Sequence, residues 1–584
     1  MSQNQPFYVG LCMAGAVSAG AYTAGVMDFL IEALDDWESK RDQPGIPQHR
    51  VKIPVIGGAS AGGMTGIITA SAINNPIKPV SRIDPTRFFQ EHNDNKLWHS
   101  WVDMIHRDMF PFLLNTDDIS AGNILSLFNS SFIDAIADRA LRVDTSQWID
   151  RPYFDHNLKV FNTLTSLRGI SYNIDFLGVN QEPDKYCVTR HNDYVNFQLN
   201  TTRYAGDGWI PLDFKTGLNA ELAADAAMAT GAFPVGLRAR AVSRPKVFMN
   251  DNEWMKDVTS VSPVVHDPYE ALNVDGGIIN NEPFEKVRKV LVSITGQGPL
   301  EYNDYNRFTS TVLMVDPFPS KPPVYNDSNK LFHVIGSTLT ALVNQVRVKP
   351  QHLEDAMASG KAGQFLITPV RRIPLVDGGK RDEAGAGAIA CGAFGGFSGF
   401  FHKEFRIHDY FLGRANCEKF LRDHFTVPAS SSNIITQGYA DLTDDEKKRF
   451  YSRTDREASL PIIPVLSPRK ERKYMPIFSS GSDWPVRIEP EIERFRGEIK
   501  ARAHALIMNL APYNFMTKLL IRIGSHVVLR RKLAGVMMDM IKQSLADHHL
   551  LNARGFSPVK KVDPPVDAGK RAAMENGELV IGNL

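Results

Sequence analysis

The chain has 584 residues, of which 43% are hydrophobic and 22% are charged, close to the averages of soluble globular proteins. This composition excludes a disordered chain, a collagen-like repeat and a long coiled coil, and the length predicts two to four domains. Lysine and arginine number 66 against 65 acidic residues, so the whole chain has no electrostatic bias toward nucleic acid. Four cysteines without a C-x-x-C pair exclude a disulfide scaffold and argue against a zinc ribbon or redox motif.

The first 75 residues predict two strand–loop–helix units. A short buried strand is expected over 7–12, followed by a small-residue loop and a helix through Leu34. A second strand over 51–56 leads into a helix that begins near Ala61. This alternation is typical of a parallel sheet covered by helices. The opening apolar run is rich in Gly and Ala and lacks a positively charged start, so we expect neither a signal peptide nor a membrane span.

An insertion over 76–155 follows, for which we expect mainly helices. Within it, Asp117 and Asp118 are suited to cap a helix over 119–128. Its aromatic residues over 88–114 either cover a neighbouring site and accept acyl chains, or pack as an ordinary core. Further along we expect short strands over 158–199, a helix over 220–237, a strand ending at Val274, a helix near Pro283, a strand over 311–315 and a helix over 330–346.

The strongest chemical signal is a single G-x-S-x-G pattern formed by Gly58, Ser60 and Gly62. Alone it is weak, since chance supplies about 0.2 such matches in a chain of this length. Its position between a predicted strand and a predicted helix is the context in which a nucleophilic serine sits on a sharp turn. The helix N-terminus there stabilises a developing alkoxide. The competing interpretation is an N-cap serine in a Gly/Ala turn.

Two further elements fit a serine hydrolase. The small-residue turn 15–20 lies beside the nucleophile turn in a parallel sheet, where backbone N–H groups can face an oxyanion. Close helix–strand packing explains the same residues equally well. Asp-Gly-Gly occurs twice, and Asp275 follows an apolar run, which places it at the carboxyl end of a buried strand, where α/β sites form. Asp377 leads instead into a charged stretch, so we favour Asp275 as the acid.

Taken together, these elements resemble the patatin-like phospholipase family. The matching stretches are GAYTAGVMDFL after the first strand, GASAG at the nucleophile turn, AADAAMATGAFPVG in an Ala-rich helix and DGGIINNEP at the acid. Their order and spacing also match, and the resemblance covers residues 7–290. Residues 405–421 are similar, more weakly, to long bacterial members of the family.

The resemblance implies a three-layer α/β/α sandwich with a mostly parallel central sheet, and a lipid acyl hydrolase of the phospholipase A type. It implies a Ser–Asp dyad in which Ser60 is the nucleophile, which forms an acyl-enzyme, and Asp275 is the proton acceptor. The implied oxyanion hole consists of Gly15, Ala16 and Val17, and the motif glycines are Gly20, Gly58, Gly62, Gly276 and Gly277. The implied substrate is a glycerophospholipid or another fatty-acyl ester, and we expect no cofactor, no metal and no nucleic-acid partner.

The first turn departs from the family's usual form, G-G-G-x-[KR]-G. Ala16 and Val17 stand at two glycine positions and Ala19 replaces the basic residue. The N–H donors survive these replacements only if φ stays negative at Ala16 and Val17. The departure bears on hydrolytic efficiency more than on the fold.

Two alternatives remain open at this point. One is an α/β-hydrolase triad with a histidine, for which His266 and His408 follow the nucleophile as that order requires. The other is a catalytically weak or inactive protein that keeps the fold and binds a lipid or a partner, which the altered turn suggests. Metal catalysis is not expected, because the sequence contains no H-E-x-x-H and no clustered Cys/His spacing.

We expect five regions along the chain. They are a catalytic domain over 7–290 that contains the insertion 76–155, a continuation of the α/β core with a Gly-rich and helical segment over 291–425, a loop-rich connector over 426–488, a helical C-terminal region over 489–551 and a disordered tail over 552–584.

The basic segment 513–534 predicts peripheral membrane contact by a cytoplasmic protein. Residues 500–561 contain eleven Lys/Arg and two acidic residues. On a helical projection of the segment, one face carries Met516, Leu519, Leu520, Ile523 and Val527, and the opposite face carries Lys518, Arg522 and Lys532. Such a helix binds an anionic interface, although a helix docked on the catalytic domain has the same pattern.

Overall fold

The structure is a computed structural model that describes residues 5–84, 90–104, 106–120, 123–177, 183–256, 263–297, 304–319, 334, 337–338, 341, 364–374, 378–455, 457–467, 474–510 and 530–552. Several predictions lie outside these residues. They are most of the helix over 330–346, Phe88 and Phe89, Asp377, residues 513–529 of the basic segment and residues 553–584 of the tail.

Among the residues that the structure describes, nine strands form the central sheet. Their bounds are β1 Phe7–Met13, β2 Val51–Gly58, β3 Phe154–Leu177, β4 Pro183–Leu199, β5 Ile210–Leu212, β6 Arg240–Arg244, β7 Tyr269–Asp275, β8 Ser310–Val315 and β9 Gln364–Ile367. The order is β5-β4-β3-β2-β1-β8-β9, with β7 paired to β3 and β6 paired to β7. The pairs from β3 through β2, β1 and β8 to β9 are all parallel, whereas β3 with β4, β3 with β7, and β6 with β7 are antiparallel.

The parallel strands end together at one edge of the sheet. Met13 of β1 stands opposite Gly58 of β2 on one side and opposite Val315 of β8 on the other. Strands β1, β2 and β8 are almost entirely buried, as expected of parallel strands covered on both faces. The loops that follow their carboxyl ends therefore meet at one place, where ligand sites form in such sheets.

Helices cover both faces of the sheet. Numbered in chain order, they are α1 Gly20–Lys40, α2 Ser60–Ala72, α3 Lys96–Trp98, α4 Phe110–Leu114, α5 Ser131–Leu141, α6 Ala220–Thr230, α7 Lys246–Asp251, α8 Phe284–Thr295, α9 Lys403–Asp423, α10 Ile434–Gln437, α11 Asp444–Phe450, α12 Glu489–Glu493, α13 Arg496–Asn509 and α14 Arg530–Asp547. A π-helical turn, His99–Asp103, extends α3. Short 3-10 turns occupy Val17–Ala19, Glu253–Met255 and Gly276–Ile278.

Two apolar cores lie on opposite faces of the sheet, because successive side chains of a strand point to opposite sides. Val9, Leu11 and Met13 of β1 face the core that contains α1, α2 and α9. Cys12 faces the smaller core formed by α8. This arrangement is the three-layer α/β/α sandwich that the resemblance implied.

Helix α1 lies inside the protein. The helical stretch Val17–Lys40 is long and apolar enough to cross a membrane by composition, but 89% of its most apolar window is buried. Its packing partner is α9, and the fully buried Asp28 of α1 forms an ion pair with Arg414 of α9. This burial is consistent with a core helix of a soluble protein.

The remaining strands form small sheets in the second half of the chain. They are β10 Val370–Pro374 with β11 Lys380–Ala384, β12 Thr426–Pro428 with β13 Ser459–Pro461, and β14 Arg487–Ile488 with β15 Leu551–Asn552. The C-terminal helices pack on the first half of the chain. The ring of Phe495 stacks edge-on against Phe110 at 5.2 Å, and Arg502 of α13 pairs with Asp118.

The helix predicted over 119–128 is wrong for the residues that the structure describes there. The N–H groups of Leu127 and Phe128 donate to the carbonyls of Val235 and Gly236, at 2.8 and 2.9 Å, instead of to carbonyls four residues earlier. Asp118, expected to cap the helix, is held by Arg502. Tertiary partners therefore override the local capping signal.

Two other expectations need correction. In the described part of the insertion 76–155, the helices are short and are separated by loops. The short strands expected over 158–199 are two long antiparallel strands, β3 and β4, which extend beyond the edge of the sheet. Gly169, at φ +69°, accommodates the register shift between Thr165 and Ile170 that lets β3 continue as one strand.

Candidate active site

Ser60 lies on a sharp turn between β2 and α2. Its φ is +51°, a conformation that non-glycine residues rarely adopt, and the side chain is 6% exposed. The turn requires glycine nearby, because a Cβ on Gly62 would lie 2.2 Å from the carbonyl oxygen of Met13. A Cβ on Gly58 would lie 2.6 Å from the carbonyl carbon of Gly62. The structure therefore has the strained strand-to-helix turn that the G-x-S-x-G pattern predicted.

Asp275 is the last residue of β7 and contacts Ser60 directly. The hydroxyl of Ser60 donates a hydrogen bond to Oδ2 of Asp275 at 2.6 Å, and Asp275 is also 6% exposed. The backbone N–H of Gly277 donates to the other carboxylate oxygen, Oδ1, at 2.7 Å. A Cβ on Gly276 would lie 2.0 Å from the carbonyl oxygen of Thr163, so only glycine fits after the aspartate. One carboxylate oxygen is thus held by the backbone while the other faces Ser60.

The backbone of this site is fixed from neighbouring strands and from α6. Thr230, at the end of α6, accepts a hydrogen bond from the N–H of Ser60 at 2.8 Å. The N–H of Asp275 donates to the carbonyl of Ala232 at 2.9 Å, and the hydroxyl of Thr165 donates to the carbonyl of Asp275 at 2.9 Å. Serine and aspartate, 215 residues apart in the chain, are therefore both tied to the α6 region.

The turn formed by Gly15, Ala16 and Val17 lies against the nucleophile. A Cβ on Gly15 would lie 2.8 Å from the Cβ of Ser60. In the part of the chain that the structure describes, the backbone N–H groups of these three residues donate to no protein acceptor. Buried N–H groups without partners are costly, so three of them beside a serine are donors suited to an anion.

The negative φ that the sequence argument required is found at Ala16 (−153°) but not at Val17 (+47°). A β-branched residue in the left-handed region is strained by on the order of 1–3 kcal/mol and persists only where its surroundings enforce it. Val17 packs against Gly396, on which a Cβ would lie 3.1 Å from the Cβ of Val17. Contact with the second half of the chain thus accompanies this conformation.

A largely apolar pocket of about 60 Å³ opens at Ser60 and Asp275. It is lined by Val17, Ser60, Ala61, Met64, Ile68, Ser100, Trp101, Met104, Phe132, Ile133, Ile136, Gly231, Phe233, Leu237, Asp275 and Phe400. Residues of the insertion both line this pocket and pack in the core, whereas the acceptance of acyl chains stays a prediction. Trp101 and Met104 line the pocket. The Trp101 ring also packs closely on α1, since a Cβ on Gly20 would lie 2.3 Å from it. Trp98, in contrast, is fully buried in the core against Tyr410.

Among the described residues, no histidine lines this pocket. His266 lies in an exposed loop. His408 is buried in α9, where its Nδ1 bonds to Asp409 at 2.7 Å and its ring packs on Trp484. The described residues therefore do not assemble a histidine-dependent triad at Ser60.

Asp225 of α6 does not line the pocket. Its pKa is raised mainly by its partial burial and secondarily by the negative charge of Glu221. The described residues contain no group of three or more His, Cys, Asp or Glu that could hold a metal ion.

Two residues that bear on the site, Thr230 and Trp101, could not be singled out from the sequence. Thr230 lies inside the matched stretch AADAAMATGAFPVG, so a signal was present, although nothing local indicated that its hydroxyl reaches Ser60. Trp101 is one of the aromatic residues over 88–114, and nothing local distinguishes it from the others. Its place beside Ser60 depends on contacts between distant segments.

Two comparisons with known proteins bear on the family of this chain. The family model for patatin-like phospholipases matches residues 11–288, which include Ser60 and Asp275. The uncharacterized protein y4iI of Sinorhizobium fredii is 32% identical over 511 residues, an alignment that covers 79% of this chain and 71% of that protein. That alignment is longer than the family match, so the similarity continues outside residues 11–288. The chain therefore belongs to the patatin-like phospholipase family.

Proposed function

We propose that the protein is a lipid acyl hydrolase that cleaves fatty-acyl esters, such as those of glycerophospholipids, with Ser60 as nucleophile and Asp275 as its proton acceptor. The observation that carries this proposal is the 2.6 Å hydrogen bond from the Ser60 hydroxyl to Asp275 Oδ2. Ser60 lies on a strained turn and lines an apolar pocket. An apolar pocket suits an acyl chain better than a charged substrate. The family suggests a lipid hydrolase as well.

The chemistry follows from the two side chains. Aspartate has an ordinary pKa near 3.9, so it cannot hold a serine alkoxide ready in the resting enzyme. As Ser60 Oγ bonds to the ester carbonyl carbon, its proton moves to Asp275 Oδ2, and the carbonyl oxygen becomes an oxyanion. When the carbon–oxygen bond to the alcohol breaks, that alcohol takes the proton from Asp275. Water then attacks the acyl-enzyme, gives its proton to Asp275, and releases the fatty acid when Ser60 recovers the proton.

The oxyanion of this reaction needs hydrogen-bond donors. The N–H groups of Gly15, Ala16 and Val17 are unpaired within the described chain, and the turn that they form contacts Ser60 at Gly15, so we assign the oxyanion hole to them. Val17 is assigned although its φ of +47° is not the negative value expected from the sequence, because its packing against Gly396 holds that conformation. Ser60 also begins α2, and the partial positive charge of a helix N-terminus favours the same developing anion.

Hydrolysis of a short-chain nitrophenyl ester and of a diacyl glycerophospholipid in mixed micelles tests the proposal. Ser60→Ala removes the nucleophile, and Asp275→Asn removes the proton acceptor while keeping its shape, so both should abolish turnover of both substrates. Ser71→Ala is the matched control, because Ser71 lies on the same helix and is equally buried but bonds to Ile68 and Ala140. Full activity in the Ser60→Ala variant would contradict the proposal.

A second candidate is a lipid-binding protein of the same fold with little or no catalysis. The left-handed Val17 favours it, because a strained valine replaces a glycine in the turn that must hold the oxyanion. Retention of fatty acid or phospholipid without turnover, in a protein whose Ser60 does not react with a phosphonate probe, would favour this candidate over the hydrolase.

A further inference from the structure

The Gly-rich segment 385–401, which begins almost a hundred residues beyond the end of the family match at 288, packs on the turn that contains Val17. It consists of the 3-10 turns Gly385–Ala388, Ala390–Gly392, Phe394–Gly396 and Ser398–Phe400. Its backbone approaches so closely that a Cβ on Gly399 would lie 2.5 Å from the Ser18 hydroxyl. Gly396, at φ +92°, faces Val17 in the same way. Two glycines of this segment therefore touch two residues of the turn.

Ser18 joins the two segments through its side chain. It is fully buried, its hydroxyl donates to the carbonyl of Gly396, and it accepts from the N–H of Gly399 at 3.1 Å. Both partners belong to the Gly-rich segment, so the hydroxyl satisfies one acceptor and one donor that would otherwise be buried without a partner. Ser18 is thus the polar link between the turn and the second half of the chain.

The Gly-rich segment is itself anchored to two helices. Asp409 of α9 accepts hydrogen bonds from the N–H groups of Ala390 and Cys391, at 2.7 and 2.9 Å. Arg406 of α9 donates to the carbonyl of Gly399 at 2.6 Å. The hydroxyl of Ser544, on α14, accepts from the N–H of Phe394 at 2.6 Å. The segment therefore presents a fixed surface to the turn.

We propose that Ser18 is a positioning residue, through which the Gly-rich segment holds the turn 15–17 in the conformation that directs its N–H groups at the oxyanion. The inference rests on the proposed function. A strained Val17 needs an enforcing neighbour, and the close approach of Gly396 together with the Ser18 link supplies it. The catalytic site is then complete only with the second half of the chain in place, which gives residues 385–401 a role in catalysis.

The test compares Ser18→Ala with Ser310→Ala by two measurements. Ser310 is also fully buried with a hydrogen-bonded hydroxyl, but it lies on β8 and bonds to Gln297. In the first measurement, the protein reacts with a fluorophosphonate probe until labelling is complete, and the final labelling stoichiometry gives the number of folded active sites. In the second measurement, kcat is determined and divided by that number of sites. Because misplacement of donors by about 1 Å can cost 10²-fold, Ser18→Ala should lower kcat and the labelling rate about 10- to 100-fold. KM and the final labelling stoichiometry should change less than about threefold.

Three results separate the possible failures. If Ser18→Ala keeps its kcat per labelled site within twofold of the wild type, or loses only labelling stoichiometry, the positioning role is overturned. If Ser18→Ala does not fold, Ser544→Ala is tested in its place, because it removes the hydroxyl that holds the Phe394 N–H of the Gly-rich segment. The kcat per labelled site of Ser544→Ala must then be at least threefold below that of the wild type, or the positioning role is overturned. If Ser60→Ala retains full activity, the proposed function itself is wrong, and the role of Ser18 that rests on it is overturned with it.

Discussion

Replacement of Thr230 by valine tests whether the backbone of the nucleophile turn must be held from α6. The two side chains have nearly the same shape, and Thr230 is fully buried, so the change removes only the hydroxyl that accepts the Ser60 N–H at 2.8 Å. A buried N–H left without an acceptor costs about 1–3 kcal/mol. If this whole cost appears as misplacement of Ser60 in the transition state, kcat/KM falls about 5- to 150-fold, since 1.4 kcal/mol corresponds to a factor of ten.

Steady-state hydrolysis of a short-chain ester measures this effect, and Thr69→Val is the matched control. Thr69 is also fully buried, on α2, but its hydroxyl donates to the helix carbonyl of Thr65, which remains paired without it. We expect the control to retain activity within about twofold, since its hydroxyl does not touch the turn. Equal activities of Thr230→Val and Thr69→Val would refute the reasoning.

Three further predictions concern the turn, acid stability and the basic segment. Gly62→Ala should abolish activity, because the added Cβ would lie 2.2 Å from the carbonyl oxygen of Met13. Gly497→Ala on α13, where the added Cβ meets open space, should leave activity unchanged. Ester hydrolysis by both variants checks this. Burial lowers the pKa of His49 to about 4, from about 6.5 in the unfolded chain. Between these two pH values the unfolded chain binds a proton that the folded protein does not. The free energy of unfolding should therefore fall by about 3 kcal/mol as pH decreases through that window. Urea midpoints of His49→Phe should depend less on pH there than those of the wild type. Glutamine at Lys518, Arg522 and Lys532, three of the five basic positions of segment 513–534, should weaken binding to anionic vesicles about 100-fold at low salt, at about 1 kcal/mol per residue. Co-sedimentation at unchanged strength would contradict this.

The central sheet and the nucleophile turn could be predicted because their signals are local. A buried β-branched strand followed by Gly58, Ala59 and Ser60 specifies a tight strand-to-helix turn within a few residues. The Asp-Gly-Gly at Asp275 is local in the same way, since an apolar strand and two glycines are adjacent. The structure brings Ser60 and Asp275 together, whereas their chemical roles stay predictions.

Contacts between distant segments explain most of what could not be predicted. The predicted cap residue Asp118 finds Arg502 almost 400 residues away, and the helix it was expected to start does not form. The hydroxyl of Ser18 likewise depends on Gly396 and Gly399, which no periodicity relates to residues 15–20. The Gly-rich run 385–401 falls within the Gly-rich and helical segment expected over 291–425, and its role could not be predicted because its partner lies at the opposite end of the chain.

Mapping a covalent serine probe tests the central claim most directly. The full-length protein would be treated with a fluorophosphonate, digested and analysed by mass spectrometry. We predict one modified residue, Ser60, with labelling that is absent in Ser60→Ala and strongly slowed in Asp275→Asn, because Asp275 Oδ2 accepts the proton of the attacking hydroxyl. Modification of a different serine, or labelling of Ser60 at an unchanged rate in Asp275→Asn, would contradict the Ser60–Asp275 dyad.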